Sequence, residues 1–261
     1  MNTSLRDCTA RMLNKVPEVT ILFWIIKIMA TTVGETAADF LNSKLHFGLI
    51  GTSIFMGGFL LAFLVMQIRS RKYVPWIYWV TVVLLSVFGT LLTDNLVDNF
   101  DVALETTTAV FSIALLVTFV SWYASEKTLS IRTIFTTKRE LFYWAAILFT
   151  FALGTAAGDL TAEGLHLGYA TSALIYGGLI GAAAIAHYAF KANAITAFWI
   201  AYVLTRPFGA SCGDFLSQPV VNGGLGFGTV GTSLIFLGVI LGLVSYLTMR
   251  QKKGLAPQRQ R

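Results

Sequence analysis

Apolar and polar positions fall into long blocks along this chain: eight apolar runs of about twenty residues, joined by short polar connections. The runs are Glu18–Ala38, Phe47–Ile68, Val74–Thr93, Ala103–Ala124, Glu140–Gly158, Leu167–Ala189, Ala194–Gly213 and Phe227–Met249. A helix of about 20 residues crosses a hydrocarbon core about 30 Å thick. Core helices of soluble proteins seldom reach that length without charge, and the connections leave no room for a soluble domain. The pattern therefore predicts an all-α membrane protein with eight transmembrane helices. The residues before Glu18 are polar and mixed in charge, and the first run is long enough to span, so no cleavable signal is expected.

The odd-numbered runs repeat one another. Each has Trp, then Gly ten residues on, then Asp five later: Trp24–Gly34–Asp39, Trp79–Gly89–Asp94, Trp144–Gly154–Asp159 and Trp199–Gly209–Asp214. The tryptophans are 55, 65 and 55 residues apart, so the first pair of units recurs as the second pair 120 residues later. "LHFG" at Leu45 matches "LHLG" at Leu165, and Gly57–Gly58 matches Gly177–Gly178. Four matches at identical spacing define an internal repeat. The organisation is a tail over 1–17, repeats over 18–68, 74–124, 139–189 and 194–249, a linker over 125–138 and a basic tail over 250–261.

On these residues the chain resembles a family of bacterial membrane proteins built from four tandem two-helix repeats. Each repeat in that family carries a characteristic tryptophan, and its function is unknown. The resemblance covers about Val16 to Met249 and implies the eight-helix, four-repeat fold; it implies no activity and no catalytic residues. Two spans per repeat mean that successive repeats enter the membrane in the same direction, as two similar four-helix halves about an axis near the membrane normal. A pseudo-fourfold or nested twofold arrangement brings the four aspartates around one axis.

Charge adds a direction. Sixteen of the 19 Lys and Arg lie on one side: in the N-terminal tail, the second, fourth and sixth connections and the C-terminal tail. Only Lys44 lies on the opposite side, while Lys27 and Arg206 fall within spans. The positive-inside rule places the N and C termini in the cytoplasm of a bacterium, with the chain in its inner membrane. A pI near 9.4 reflects this asymmetry and anionic headgroups rather than nucleic acid. Cys8 and Cys212 stand far apart, so no disulfide framework is expected.

Acids run the other way. Glu35, Asp39, Asp94, Asp98, Asp101, Glu105, Asp159, Glu163 and Asp214 lie at or near the outer ends of the runs, which topology does not require. Steps of four residues give polar stripes: Lys27–Thr31–Glu35–Asp39, Ser86–Thr90–Asp94–Asp98, Thr155–Asp159–Glu163 and Tyr202–Arg206–Ala210–Asp214. A polar stripe on an apolar helix faces a partner helix, a cavity or a pore; the blander reading is an Asp that caps a loop or sits in interfacial water. The tryptophans read as interfacial anchors. The glycines read as points of close helix approach, including the GxxxG pairs Gly177–Gly181 and Gly238–Gly242.

The fourth repeat alone inserts arginine and proline. Pro207 has no N–H and clashes with the carbonyl of Val203, so a kink or break is expected there. Arg206 lies roughly 18 Å into the span, where an unpaired guanidinium costs at least about 2.5 kcal/mol. It requires a carboxylate, for which Glu35, Asp39 and Asp94 are the candidates. The pair is a structural salt bridge or, with a broken helix, a gate or substrate site.

Carboxylate and hydroxyl oxygens suit hard cations such as Mg²⁺ or Mn²⁺, or protons. The expectation is a transporter of a hard divalent cation, with Asp39, Asp94, Asp159 and Asp214 as its metal ligands. Glu35, Asp98 and Glu163 contribute to cation binding, and Arg206, Pro207 and Lys27 act as gating or structural elements. The alternatives are a proton-coupled carrier of small organic solutes and a non-transporting membrane scaffold or sensor. "AAGD" and "SCGD" lack the first glycine of the GxGD intramembrane protease motif, and no triad or phosphate loop appears, so no enzyme and no cofactor are expected. The partners are the lipid bilayer and a small cation or proton, without nucleic acid; assembly into a homo-oligomer stays open.

Overall fold

The computed structural model describes residues 14–43 and 48–255. Arg6, Cys8, Arg11, Lys44, His46, Arg259 and Arg261 lie outside the described residues. Among the described residues there is no strand, and eight long helices follow one another: α1 Ile21–Ser43, α2 Gly48–Arg69, α3 Pro75–Asp94, α4 Leu104–Glu126, α5 Thr137–Asp159, α6 Tyr169–Tyr188, α7 Ala194–Ser217 and α8 Gly228–Leu255. Each begins within three residues of the start of its apolar run.

Local chemistry sets several of these ends. Pro75 occupies the first turn of α3, where its missing N–H is no loss. Thr136 and Asn193 accept backbone N–H groups at the starts of α5 and α7. Gly48 and Gly168, the last residues of the matching LHFG and LHLG sequences, both take positive φ, at 67° and 77°, a conformation that favours glycine.

Seven of the eight helices are long and apolar enough to cross a membrane. The exception is α7. It holds Arg206 and Asp214, and its 24 residues are otherwise long enough. The apolar run that the sequence offers there is interrupted by polarity that points into the protein, since Arg206 and Asp214 are both buried.

The odd helices form a closed ring in chain order: α1 packs on α3, α3 on α5, α5 on α7, and α7 back on α1. Each even helix packs mainly on the odd helix of the following repeat. Thus α2 lies on α3, α4 on α5, α6 on α7, and α8 returns to α1. The last repeat closes on the first, which gives the bundle an approximate fourfold order.

The repeated glycine explains the closeness of the ring. A Cβ built on Gly34 would run into Ser86, one on Gly154 into Arg206, and one on Gly209 into Thr31, while one on Gly89 would lie 2.6 Å from the Cβ of Phe151. Ser86, Phe151, Arg206 and Thr31 occupy the same position, seven residues after Trp, in the next repeat around the ring. A side chain at any of the four would wedge the helices apart. The GxxxG pairs behave differently. Gly177 meets the Phe208 ring, but Gly181, Gly238 and Gly242 have nothing within 4 Å among the described residues. Close approach within the chain is therefore not the role of these last three.

Two further expectations change. Trp79, Trp144 and Trp199 are buried among other rings rather than exposed as anchors, while Trp24 is half-buried; their neighbours include Tyr78, Tyr143 and Tyr202. The ring closes so tightly at this end that the indoles become core. Helix α7 also runs unbroken through Pro207, whose ring carbon Cδ faces Gly154 and whose backbone faces Gly158 on α5. The glycine groove accommodates the proline, so of the kink or break expected from the sequence the break does not form.

The starts of the odd helices make a basic end, and the acids make the other. At the basic end the chain before α1 is tied down by a buried ion pair. Lys15 Nζ lies 2.6 Å from Glu140 Oε2 and donates to the carbonyl of Ile68 at 2.8 Å. Gln67 Nε2 donates to Glu140 Oε1 at 3.3 Å. At the same end Gln251 of α8 donates to the carbonyl of Tyr73.

Candidate functional site on the ring axis

Three layers of polar side chains stack inside the ring, two of them set by a common distance from the repeated Trp. The layer nearest the basic end holds three buried tyrosines, with the hydroxyls of Tyr78 and Tyr143 2.5 Å apart and Tyr202 beside them. Just beyond lies Lys27, fully buried. Its Nζ is 4.1 Å from the centre of the Phe151 ring and 4.3 Å from that of Tyr202. No hydrogen-bond acceptor reaches it among the described residues, so the two ring faces are what the ammonium meets, as cation–π interactions.

The middle layer is built around Arg206. Eleven residues after Trp the four repeats carry Glu35, Thr90, Thr155 and Ala210. The guanidinium, rooted one turn lower on α7, reaches the first three. Its Nη2 lies 2.8 Å from Glu35 Oε2 and 2.6 Å from Thr155 Oγ1, and it also bonds Thr90 Oγ1. Nη1 donates to the carbonyl of Thr31 at 3.2 Å. Thr90 also donates to Glu35 at 3.3 Å. Glu35 is one of the three carboxylates that the sequence offers to Arg206. The side chain of Ala210 takes up little of the layer, which leaves room for the arginine of its own helix to fill the axis. Both partners are buried; removing one member of such a pair leaves a charge uncompensated, at about 3–5 kcal/mol.

The third layer, fifteen residues after Trp, holds the four aspartates. Two of them converge with Glu35: carboxylate oxygens of Glu35, Asp159 and Asp214 lie within 4.8 Å of one another. Three helices, α1, α5 and α7, each supply one. Asp39 and Asp94 stay half-buried at the same register, and the three carboxylates that converge are two repeat aspartates and a glutamate. Asp98 and Glu163 are exposed, and Glu163 accepts the Tyr169 hydroxyl at 2.9 Å. The reason is backbone geometry. After Asp94 and Asp159 the chain switches to π-helical turns over Asn95–Asn99 and Leu160–Gly164. In that wider turn residues four apart no longer stack as they do in an α-helix.

Such a cluster carries its own demand. Two unit charges about 4 Å apart repel by about 4 kcal/mol at the effective dielectric of a site near a protein surface. Three carboxylates meet here, and Arg206 supplies one positive charge. A hard cation or protons would relieve the remainder. Oxygen ligands of this kind fit Mg²⁺, Mn²⁺ or Ca²⁺.

The Lys15–Glu140–Gln67 contact escapes a reading of the sequence, in which Lys15 is one of a tail's basic residues and Glu140 merely opens a run. A glutamate at the basic end, where other acids are rare, was the available signal.

The chain belongs to a family known by its internal unit, the Repeat of Unknown Function (DUF347), whose model matches residues 22–73, 77–128, 142–193 and 197–253. The four matches run in tandem and each covers one odd and one even helix. Neither a curated protein nor a solved structure matches the chain.

Proposed function

We propose that the chain is an integral membrane carrier of a hard cation, with a divalent ion such as Mn²⁺ or Mg²⁺ as the substrate class. One observation carries this reading: the convergence of Glu35, Asp159 and Asp214 from three helices onto one point, at the mouth of a ring whose axis is lined by hydroxyls and charged groups. The basic residues at the other end support an orientation with both termini in the cytoplasm of a bacterium and the acidic mouth facing out. In this reading the cation enters from the acidic end, and Arg206 and the tyrosine layer hold the axis closed beneath it.

Mn²⁺ uptake into proteoliposomes, with and without a proton gradient, tests the proposal. Saturable uptake by the wild type and its loss in Asp159→Asn with Asp214→Asn, at unchanged insertion, are expected. Uptake unaffected by both substitutions would remove the cluster from the mechanism. Proton movement without any Mn²⁺ uptake would favour a proton-coupled carrier of small organic solutes instead.

A further inference from the structure

The contacts of Arg206 do not have the form of an ordinary arginine–carboxylate pair. A guanidinium matches a carboxylate through two parallel N–H···O bonds. Here one nitrogen, Nη2, takes Glu35 Oε2, Thr90 Oγ1 and Thr155 Oγ1 together, although an NH₂ group has only two hydrogens to give. Nε, buried beside it, has no acceptor among the described residues. The oxygens outnumber the donors on one side of the head and are missing on the other. With the carbonyl of Thr31 on Nη1, four oxygens from α1, α3 and α5 surround the end of a side chain that comes from α7.

An all-oxygen cage of one carboxylate, two hydroxyls and one carbonyl is the ligand set of a hard cation, whose bonding is not limited by a count of hydrogens. The fourfold order supports the same conclusion. Glu35, Thr90 and Thr155 are repeat-equivalent, so three of the four oxygens are the ring's own middle layer, and the guanidinium, like the carbonyl of Thr31, comes from the position seven residues after Trp. We propose that this layer is a second, inner cation site, and that Arg206 is a tethered cation occupying it. The proposal rests on the carrier reading for its role. Glu35 belongs both to the outer carboxylate cluster and to the cage, so a cation held outside competes with Arg206 for it. Release of Glu35 would let the arginine head withdraw and open the inner site. Arg206 is thus a positioning and gating residue of that site.

The test is a count of bound ions in purified protein. The number of Mn²⁺ bound per chain is measured by electron paramagnetic resonance for the wild type, for Arg206→Ala, and for Arg206→Ala combined with Thr90→Val and Thr155→Val. One additional Mn²⁺ in Arg206→Ala, lost again in the triple variant, is expected. Free guanidinium, which can replace the missing head, should also raise the melting temperature of Arg206→Ala and leave the wild type unchanged. If Arg206→Ala does not fold, Arg206→Met keeps the apolar stem packed on Gly154 and takes its place. An unchanged ion count together with no response to guanidinium in the folded variant overturns the inner site. A guanidinium response without the extra Mn²⁺ supports it as a site for monovalent cations. A wild type that binds no Mn²⁺ counts against the outer site and the carrier reading, while the variants still decide the inner one.

Discussion

The inner and outer helices are of similar length and serve opposite purposes. In the inner α1, α3 and α5, 61 to 67% of the apolar window is buried, against 6 to 17% in the outer α2, α4, α6 and α8. Polarity follows burial. Lys27, Glu35, Thr90, Thr155, Arg206 and Asp214 are all carried by inner helices and are buried there. The outer helices turn residues such as Ile54, Leu116, Leu174 and Leu234 outward. The one helix of the eight that lacks a stretch apolar enough to span, α7, belongs to the inner ring. A run that is too polar for lipid is tolerated when neighbouring helices supply its partners, so interruptions of apolar runs mark the centre of this fold.

The sharpest way to break the contrast is to place the same substitution on both kinds of helix. Gly209→Leu would press on Thr31 and the carbonyl of Ile28, and should cost more than about 3 kcal/mol, enough to lose the cooperative thermal transition. Gly238→Leu, with nothing within 4 Å, should stay within about 0.5 kcal/mol of the wild type. Equal effects of the two would mean that the ring is not closed by its glycines. A smaller loss is expected of Glu35→Gln, which keeps the shape but leaves Arg206 without its carboxylate; about 3 kcal/mol by thermal or denaturant unfolding is the expected scale. Smallest is Lys138→Ala. Its ammonium is mostly exposed and 3.8 Å from Glu126, so its removal should change stability by less than about 0.5 kcal/mol.

How much of this was legible in the sequence depends on whether a feature is set locally or by assembly. Helix starts were legible because apolar length, proline and capping residues act within a turn or two. The Trp–Gly–Asp repeat announced four equivalent helices, and the depth of Arg206 demanded a carboxylate, with Glu35 among those offered. The packing of each even helix on the next repeat was not legible, since the spacing inside one repeat says nothing of its neighbour around the ring. Gly209 and Gly238 were both read as points of close helix approach, and only the ring distinguishes them. The acids at four-residue spacing were read as one face because an α-helical step was assumed. The π turns after Asp94 and Asp159 carry Asp98 and Glu163 away from it. Pro207 was read as a kink or break because the glycines opposite it, Gly154 and Gly158, lie 53 and 49 residues earlier in the chain.

The account depends most on the claim that the ring gathers Glu35, Asp159 and Asp214 into one cation site. Anomalous diffraction from crystals soaked in Mn²⁺ tests it directly. The expected result is a peak among the carboxylate oxygens of these three residues, absent in Asp159→Asn crystals grown in the same form. A well-occupied peak only at the exposed Asp98 or Glu163, or none at millimolar Mn²⁺, would contradict it.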